Sequence, residues 1–169
     1  HMYKHFIIIL FLLLLVQESF SEDNFYEIGN YGDWDAFYWD MKEGKVCAIV
    51  SLPLKEEGNY TKRGKVYSQV SKNAGQTGEG VVSFQAGYTF KNKSDIKVNI
   101  DKKNSLILQS VGRVAWTSTP EEDVELIKYM KLGNKMIVEG VSSRGTNTKD
   151  TYSLSGFSAA YKAISKVCN

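Results

Sequence analysis

From Tyr31 to about Leu154 apolar and polar residues alternate with a period of two along most of the chain, in short β-branched and aromatic runs separated by Gly, Asn, Asp and Lys. Successive side chains of a strand point to opposite faces, so the pattern requires sheets with one covered face. Short runs with frequent turns are typical of antiparallel sandwiches and barrels. Strands are expected at Gly32–Trp39, Val46–Leu52, Lys65–Ser71, Val81–Phe90, Ile96–Ile100, Ser105–Gln109, Arg113–Thr117, Lys135–Ser142 and Thr148–Leu154. Asp101-Lys102-Lys103-Asn104 reads as a tight hairpin, because Asp and Asn tolerate the positive φ such a turn needs, and Arg144-Gly145-Thr146-Asn147 reads as another.

Two segments follow helical spacing instead. Thr119-Pro120-Glu121-Glu122 supplies an N-cap hydroxyl, a proline at the first helical position and a glutamate three residues after the cap, which predicts a helix over Pro120–Leu132. Val124, Ile127 and Met130 form its apolar stripe, and Gly133 stands where a left-handed C-cap is expected. In Phe157–Val167 a second stripe runs through Phe157, Ala160, Tyr161, Ile164 and on to Cys168. No repeat or linker interrupts the chain, and Pro53–Gly64 and Lys72–Gly80 read as surface loops. The expected fold is mainly β, an antiparallel β-sandwich with two short α-helices in a single domain over residues 22–169.

Residues 1–21 read as a signal peptide. Lys4 and His5 precede the unbroken apolar run Phe6 to Val16, which as a helix reaches roughly 16 Å, about half of a bilayer's hydrocarbon core. Ser19 and Ser21 place small side chains at the minus-three and minus-one positions for cleavage after Ser21. The product is expected to be exported, to the periplasm, the cell surface or the medium, with no stable membrane insertion after cleavage. An uncleaved interfacial helix is the alternative.

Cys47 and Cys168 are the only cysteines. In an exported chain such a pair favours a structural disulfide over two buried thiols, and it would close a loop of about 120 residues. For a loop that long, chain entropy supplies on the order of 4–5 kcal/mol. The only histidines, His1 and His5, belong to the leader. The mature chain therefore offers no Ser-His-Asp or Cys-His nucleophile, no imidazole acid and no histidine-ligated metal, and two distant cysteines cannot build a zinc cage. No catalytic residue, metal or cofactor is expected. Twenty-one basic against nineteen acidic residues leave a net charge of +2, too small for a dedicated nucleic-acid binder.

Carboxylate chemistry and lysine chemistry are the enzymatic possibilities left. Asp33 and Asp35 flank Trp34 and would share a strand face in the manner of a glycosidase pair, although acidic residues at a strand start are commonly just solvated. Gly75 to Gly80 is glycine-rich but does not lead from a strand into a helix, so it reads as a mobile hairpin loop rather than a phosphate loop. Trp34 and Trp39 lie in an aromatic-dense N-terminal segment that serves either core packing or an exposed recognition patch. Lys62, Arg63 and Arg144 fall in loops, where they either bind an anion or partner carboxylate or simply solubilise the surface.

Several strings together resemble one family: Gly32-Asp33-Trp34, Gly58-Asn59-Tyr60-Thr61-Lys62-Arg63-Gly64, Ala86-Gly87-Tyr88-Thr89-Phe90, Ala115-Trp116, Ser142-Ser143-Arg144-Gly145-Thr146, and above all Asp150-Thr151-Tyr152-Ser153-Leu154-Ser155-Gly156-Phe157-Ser158-Ala159-Ala160-Tyr161. They are similar to the bacterial invasion-associated locus B family over about 135 residues. The resemblance implies an exported alphaproteobacterial protein of β-sandwich architecture, virulence-associated in pathogens, with no catalytic residues to carry over. Longer family members have an extra cysteine pair near the Gly-Asp-Trp strand, which this chain lacks; the Cys47 and Cys168 positions match. The function expected is a non-enzymatic envelope or cell-surface interaction protein, partnered by an envelope or host-surface protein and contributing to adhesion or invasion. The alternatives are a periplasmic assembly, stress or small-ligand factor and, third, a carboxylate-dependent glycan hydrolase.

Overall fold

The computed structural model describes residues 24–169; the expected signal peptide, with both histidines and the expected cleavage position, lies outside the described residues. Eleven strands and two helices follow in chain order: β1 (Phe25–Tyr31), β2 (Trp34–Met41), β3 (Gly44–Ser51), β4 (Lys55–Gly58), β5 (Tyr67–Asn73), β6 (Val81–Gln85), β7 (Ile96–Ile100), β8 (Asn104–Val111), β9 (Val114–Trp116), α1 (Pro120–Leu132), β10 (Lys135–Val141), β11 (Asn147–Ser153) and α2 (Phe157–Val167). Both helices occupy the spans expected from their periodicity.

All ladders are antiparallel, and they join into one continuous sheet in the order β1-β2-β3-β5-β6-β9-β8-β7-β10-β11-β4. The sheet becomes a sandwich because β8 serves both halves: Asn104 to Leu108 pair with β7, whereas Gln109 to Val111 pair with β9. The β10-β11 side then folds over the β2-β3-β5-β6 side. Phe84 meets Tyr152 edge-on at 6.3 Å, and Trp34 Nε1 donates to the Ser153 carbonyl at 3.0 Å. Strands β5, β7 and β10 alternate, whereas β3 and β6 each bury three consecutive residues, and Ile49, Val70, Phe84, Ile96, Leu108 and Met136 are all fully buried. Each such side chain contributes about 1.5–3 kcal/mol by leaving water.

The α2 stripe of Phe157, Ala160, Tyr161, Ile164 and Cys168 is buried against β1, β2 and β3. Cys168 forms a disulfide with Cys47 of β3, with Cα atoms 6.1 Å apart. At the start of α1 the Thr119 hydroxyl accepts from the Glu122 amide at 3.2 Å, and the Glu122 carboxylate accepts from the Ser118 amide at 2.7 Å. The reciprocal bond thus goes one residue upstream of the usual capping-box position.

Five local expectations are corrected. β1 pairs with β2 through a turn at Gly32-Asp33, so the expected strand Gly32–Trp39 is a hairpin turn plus a strand; an irregularity between Glu27 and Gly29 blurs the alternation of β1. β4 lies inside the Pro53–Gly64 stretch that reads as a loop, because its lysine and glutamates mask an edge strand. The strand expected over Val81–Phe90 stops at Gln85. Gly133 is extended (φ −92°) rather than left-handed, and a Cβ there would collide with the side chains of Ile100 and Leu154: the glycine serves close packing. In α1, Leu126, Ile127 and Met130 are buried while Val124 is exposed.

Candidate functional site

The two ends of strand β5 lead to different surroundings. At its C-terminal end, Cys47 pairs with Lys72 and α2 covers the sheet. Beyond its N-terminal end, four loop segments surround an open cleft of about 660 Å³: residues 59–64 after β4, 87–89 after β6, the β8–β9 turn at Arg113, and the β10–β11 turn at 142–146. Lys62, Arg63 and Arg144 all line it, so the fold brings the adjacent pair Lys62-Arg63 together with Arg144, a loop cation distant in sequence. It adds Arg113, expected at a strand start; Gly112-Arg113 is instead the turn between the paired Val111 and Val114, and Gly112 is the residue that signals it.

The four cations are not equivalent. Arg63 is an internal group: its guanidinium makes two parallel bonds to Asp150, at 2.7 and 2.6 Å, and Nε donates to the Ala86 carbonyl at 2.7 Å. Both side chains are almost wholly buried, at 3% and 4% exposure. Tyr60 and Tyr88 each place a ring 5.3 Å from the guanidinium carbon. Burial works against the charge of Arg63, but the hydrogen bonds and charge of Asp150 outweigh it and raise the pKa further above its usual value. Arg63 thus binds a carboxylate, as its residue type suggested, but the carboxylate is this chain's own; the reading of Arg63 as part of an exposed binding surface is corrected. The residue fixes the 59–64 loop on β11.

The floor beside it is equally constrained. The Gly64 amide donates to the Gly87 carbonyl at 2.9 Å. Gly87 has φ +77°, and a Cβ on it would stand 2.5 Å from the Gly64 carbonyl oxygen. The Tyr88 hydroxyl shares a 2.6 Å hydrogen bond with the Thr148 hydroxyl. Burial pushes the Tyr88 pKa up, so this hydroxyl stays neutral. Lys62, Arg113 and Arg144 are exposed on this rigid floor, and none has an ion-pair partner among the described residues.

The tryptophans lie elsewhere. Trp34 is fully buried, edge-on to Phe157 at 5.0 Å, so its place in a recognition surface is corrected to the core. Trp39 is half-buried on the outer face of β2, its ring 5.1 Å from that of Phe25, far from the cations on the Cys47 side of the sheet. Asp33 is exposed in the β1–β2 turn, and Asp35 accepts from the Asn30 amide nitrogen at 2.5 Å. Neither lines the cleft. The space between the sandwich halves around Tyr88, Val138 and Tyr152 is about 10 Å³, no more than one water requires. The glycine-rich loop is a β5–β6 hairpin connection anchored at Glu79, whose carboxylate and carbonyl both accept from the Tyr161 hydroxyl, at 2.6 and 2.5 Å. Among the described residues no helix is long and apolar enough to cross a membrane, and no group of three or more His, Cys, Asp or Glu is placed to hold a metal ion.

Fold and staple define the class: an antiparallel β-sandwich, helix-covered and disulfide-tied at one end and open at the other. The profile of the Invasion associated locus B protein family matches residues 34–165, and the chain belongs to that family. The crystal structure of invasion associated protein B from Bartonella henselae is similar in fold, with a TM-score of 0.55 at 17% sequence identity, covering 83% of this chain and 97% of that one. A search of curated protein sequences finds no match.

Proposed function

We propose that the protein is an exported interaction protein that acts by binding rather than by turnover, at the bacterial envelope or cell surface, and that in a pathogen it contributes to adhesion to host cells or their invasion. One observation carries this reading: three unpaired cations, Lys62, Arg113 and Arg144, converge on one preformed cleft in a chain whose whole net charge is only +2. Loops held by a rigid scaffold are where recognition residues concentrate, and a site of one sign of charge steers an oppositely charged partner.

The test is Lys62→Ala, Arg113→Ala and Arg144→Ala combined in the mature protein, with binding to intact bacterial envelopes and to host cells measured by flow cytometry. The triple variant is expected to keep the wild-type melting temperature and lose most of the binding. The loss should be larger at about 0.1 M salt, where the screening length is ~10 Å, than at about 1 M, where it is ~3 Å. Undiminished binding by a folded triple variant overturns the reading. So does turnover of peptidoglycan or oligosaccharide that Asp33→Asn with Asp35→Asn abolishes.

A further inference from the structure

The cleft's lining decides between kinds of anionic partner. The residues around it are Tyr, Thr, Ser, Asn, Gly, Lys and Arg alone; no Leu, Ile, Val, Met or Phe lines it, and no Asp or Glu does. The Asp150 carboxylate beside it is taken up by Arg63. A peptide or protein anchor is gripped chiefly by apolar and aromatic pockets, and a lipid tail needs an apolar wall. This cleft has no aliphatic wall, and its two aromatic rings, Tyr60 and Tyr88, both lie against the Arg63 guanidinium. It offers hydroxyls, which both donate and accept, from Tyr60, Thr61, Thr89, Ser143 and Thr146, with the Asn59 amide beside them.

Size and charge placement narrow the class further. About 660 Å³ lies within the ordinary range of ligand sites and far exceeds what one inorganic anion fills. The cations stand on three different connections, so they suit a ligand carrying several negative groups spaced along its length. The Gly64–Gly87 contact and the Arg63–Asp150 pair fix the floor in advance, which spares the ligand the entropy of ordering it.

We propose, resting on the binding function argued above, that this cleft takes an acidic oligosaccharide. Its carboxylate or sulfate groups pair with Lys62, Arg113 and Arg144, and its hydroxyls bond with the hydroxyl wall.

The test is titration calorimetry of the full mature chain with an oligogalacturonate, a heparin-derived hexasaccharide, maltohexaose, hexaglutamate, a dT₆ oligonucleotide and inorganic sulfate. At least one acidic saccharide is expected to bind about tenfold or more tighter than each of the other four probes, the two acidic saccharides showing whether carboxylate or sulfate is preferred. The triple cation variant should weaken it by about tenfold, the scale of three exposed charge pairs. Thr61→Val with Ser143→Ala, which leaves every charge in place, should weaken the saccharide and leave sulfate unchanged; wild-type saccharide affinity in this folded variant overturns the proposal. Equal or tighter binding of hexaglutamate or dT₆ also overturns it, as does failure of both acidic saccharides. If those saccharides fail while cell binding still depends on the three cations, the ligand class falls and the interaction reading stands. If cell binding ignores the cations, the interaction reading itself falls.

Discussion

The sandwich is held shut in two chemically different ways at the two ends of β5. At one end a covalent bond, Cys47–Cys168, ties the last residues of the chain to β3, and α2 seals the sheet with an apolar stripe. At the other end no helix among the described residues covers the loops, and the tie is ionic: Arg63 on Asp150, both buried. The disulfide end spends its polar groups on anchoring, as in Tyr161 with Glu79. The ionic end satisfies one cation internally and leaves three others facing solvent. A charged residue type therefore means opposite things within a single cleft: Arg63 maintains the shape, and its neighbours are left to act.

The largest way to break this contrast is to remove one partner of the ionic tie. Arg63→Ala leaves Asp150 buried without a counter-charge and should destabilise the fold by about 3–5 kcal/mol in urea denaturation. Arg63→Met combined with Asp150→Leu should recover most of that loss, because the expense lies in the unpaired charge rather than in the missing pair. If Arg63→Ala unfolds no more readily than wild type, Arg63 belongs with the exposed cations after all.

Next in size is the covalent tie. Replacing either cysteine with alanine, or reducing the disulfide, should destabilise by about 2–4 kcal/mol through the regained freedom of a loop with sequence separation 121. Affinity at the cleft should change little under conditions where the reduced protein remains folded, since neither cysteine nor any residue of α2 lines it. A parallel loss of affinity in calorimetry would show that the ends are coupled.

Much of this contrast is written in the sequence, but unevenly. The alternation of Val46–Leu52 and Lys135–Ser142 and the stripe from Phe157 to Cys168 carry their own burial pattern, because local periodicity is what a covered sheet or helix face selects. The edge strands β1 and β4 escape notice: an irregularity breaks the first and charged side chains, which protect an exposed edge, disguise the second. The cleft escapes for another reason. That Lys62, Arg113 and Arg144 converge is a property of three connections brought together by the order β9-β8-β7-β10-β11-β4, and no local signal encodes it. Arg63 and Lys62 are adjacent and alike in type; only the position of Asp150, remote in sequence, separates the structural cation from the free one. Trp34 was ambiguous for the same reason, since a tryptophan beside a turn looks identical whether α2 covers it or not.

The smallest effect sharpens the comparison from the disulfide end. The Tyr161 hydroxyl bond, aided by the charges of Lys131 and Lys72, holds the Glu79 carboxyl below its usual value of 4.5. Tyr161, raised by burial and then by this same bond, remains a neutral donor throughout. A carboxyl whose folded value is depressed contributes stability that is present above its unfolded value, near 4.5, and is lost as pH falls through the lower folded value. Glu79 has a side chain 48% exposed, so solvent screening keeps the contribution below about 1 kcal/mol. Wild type should therefore lose slightly more stability than Glu79→Gln between about pH 6 and pH 3, read as the difference between two urea curves at each pH. Tyr161→Phe should reduce that difference most, because the hydroxyl is the chief cause of the shift, whereas Lys131→Met should reduce it less. Cleft affinity measured above pH 5 should be identical in all three variants; any change there would mean that the anchored β5–β6 loop communicates with the open end of the strand.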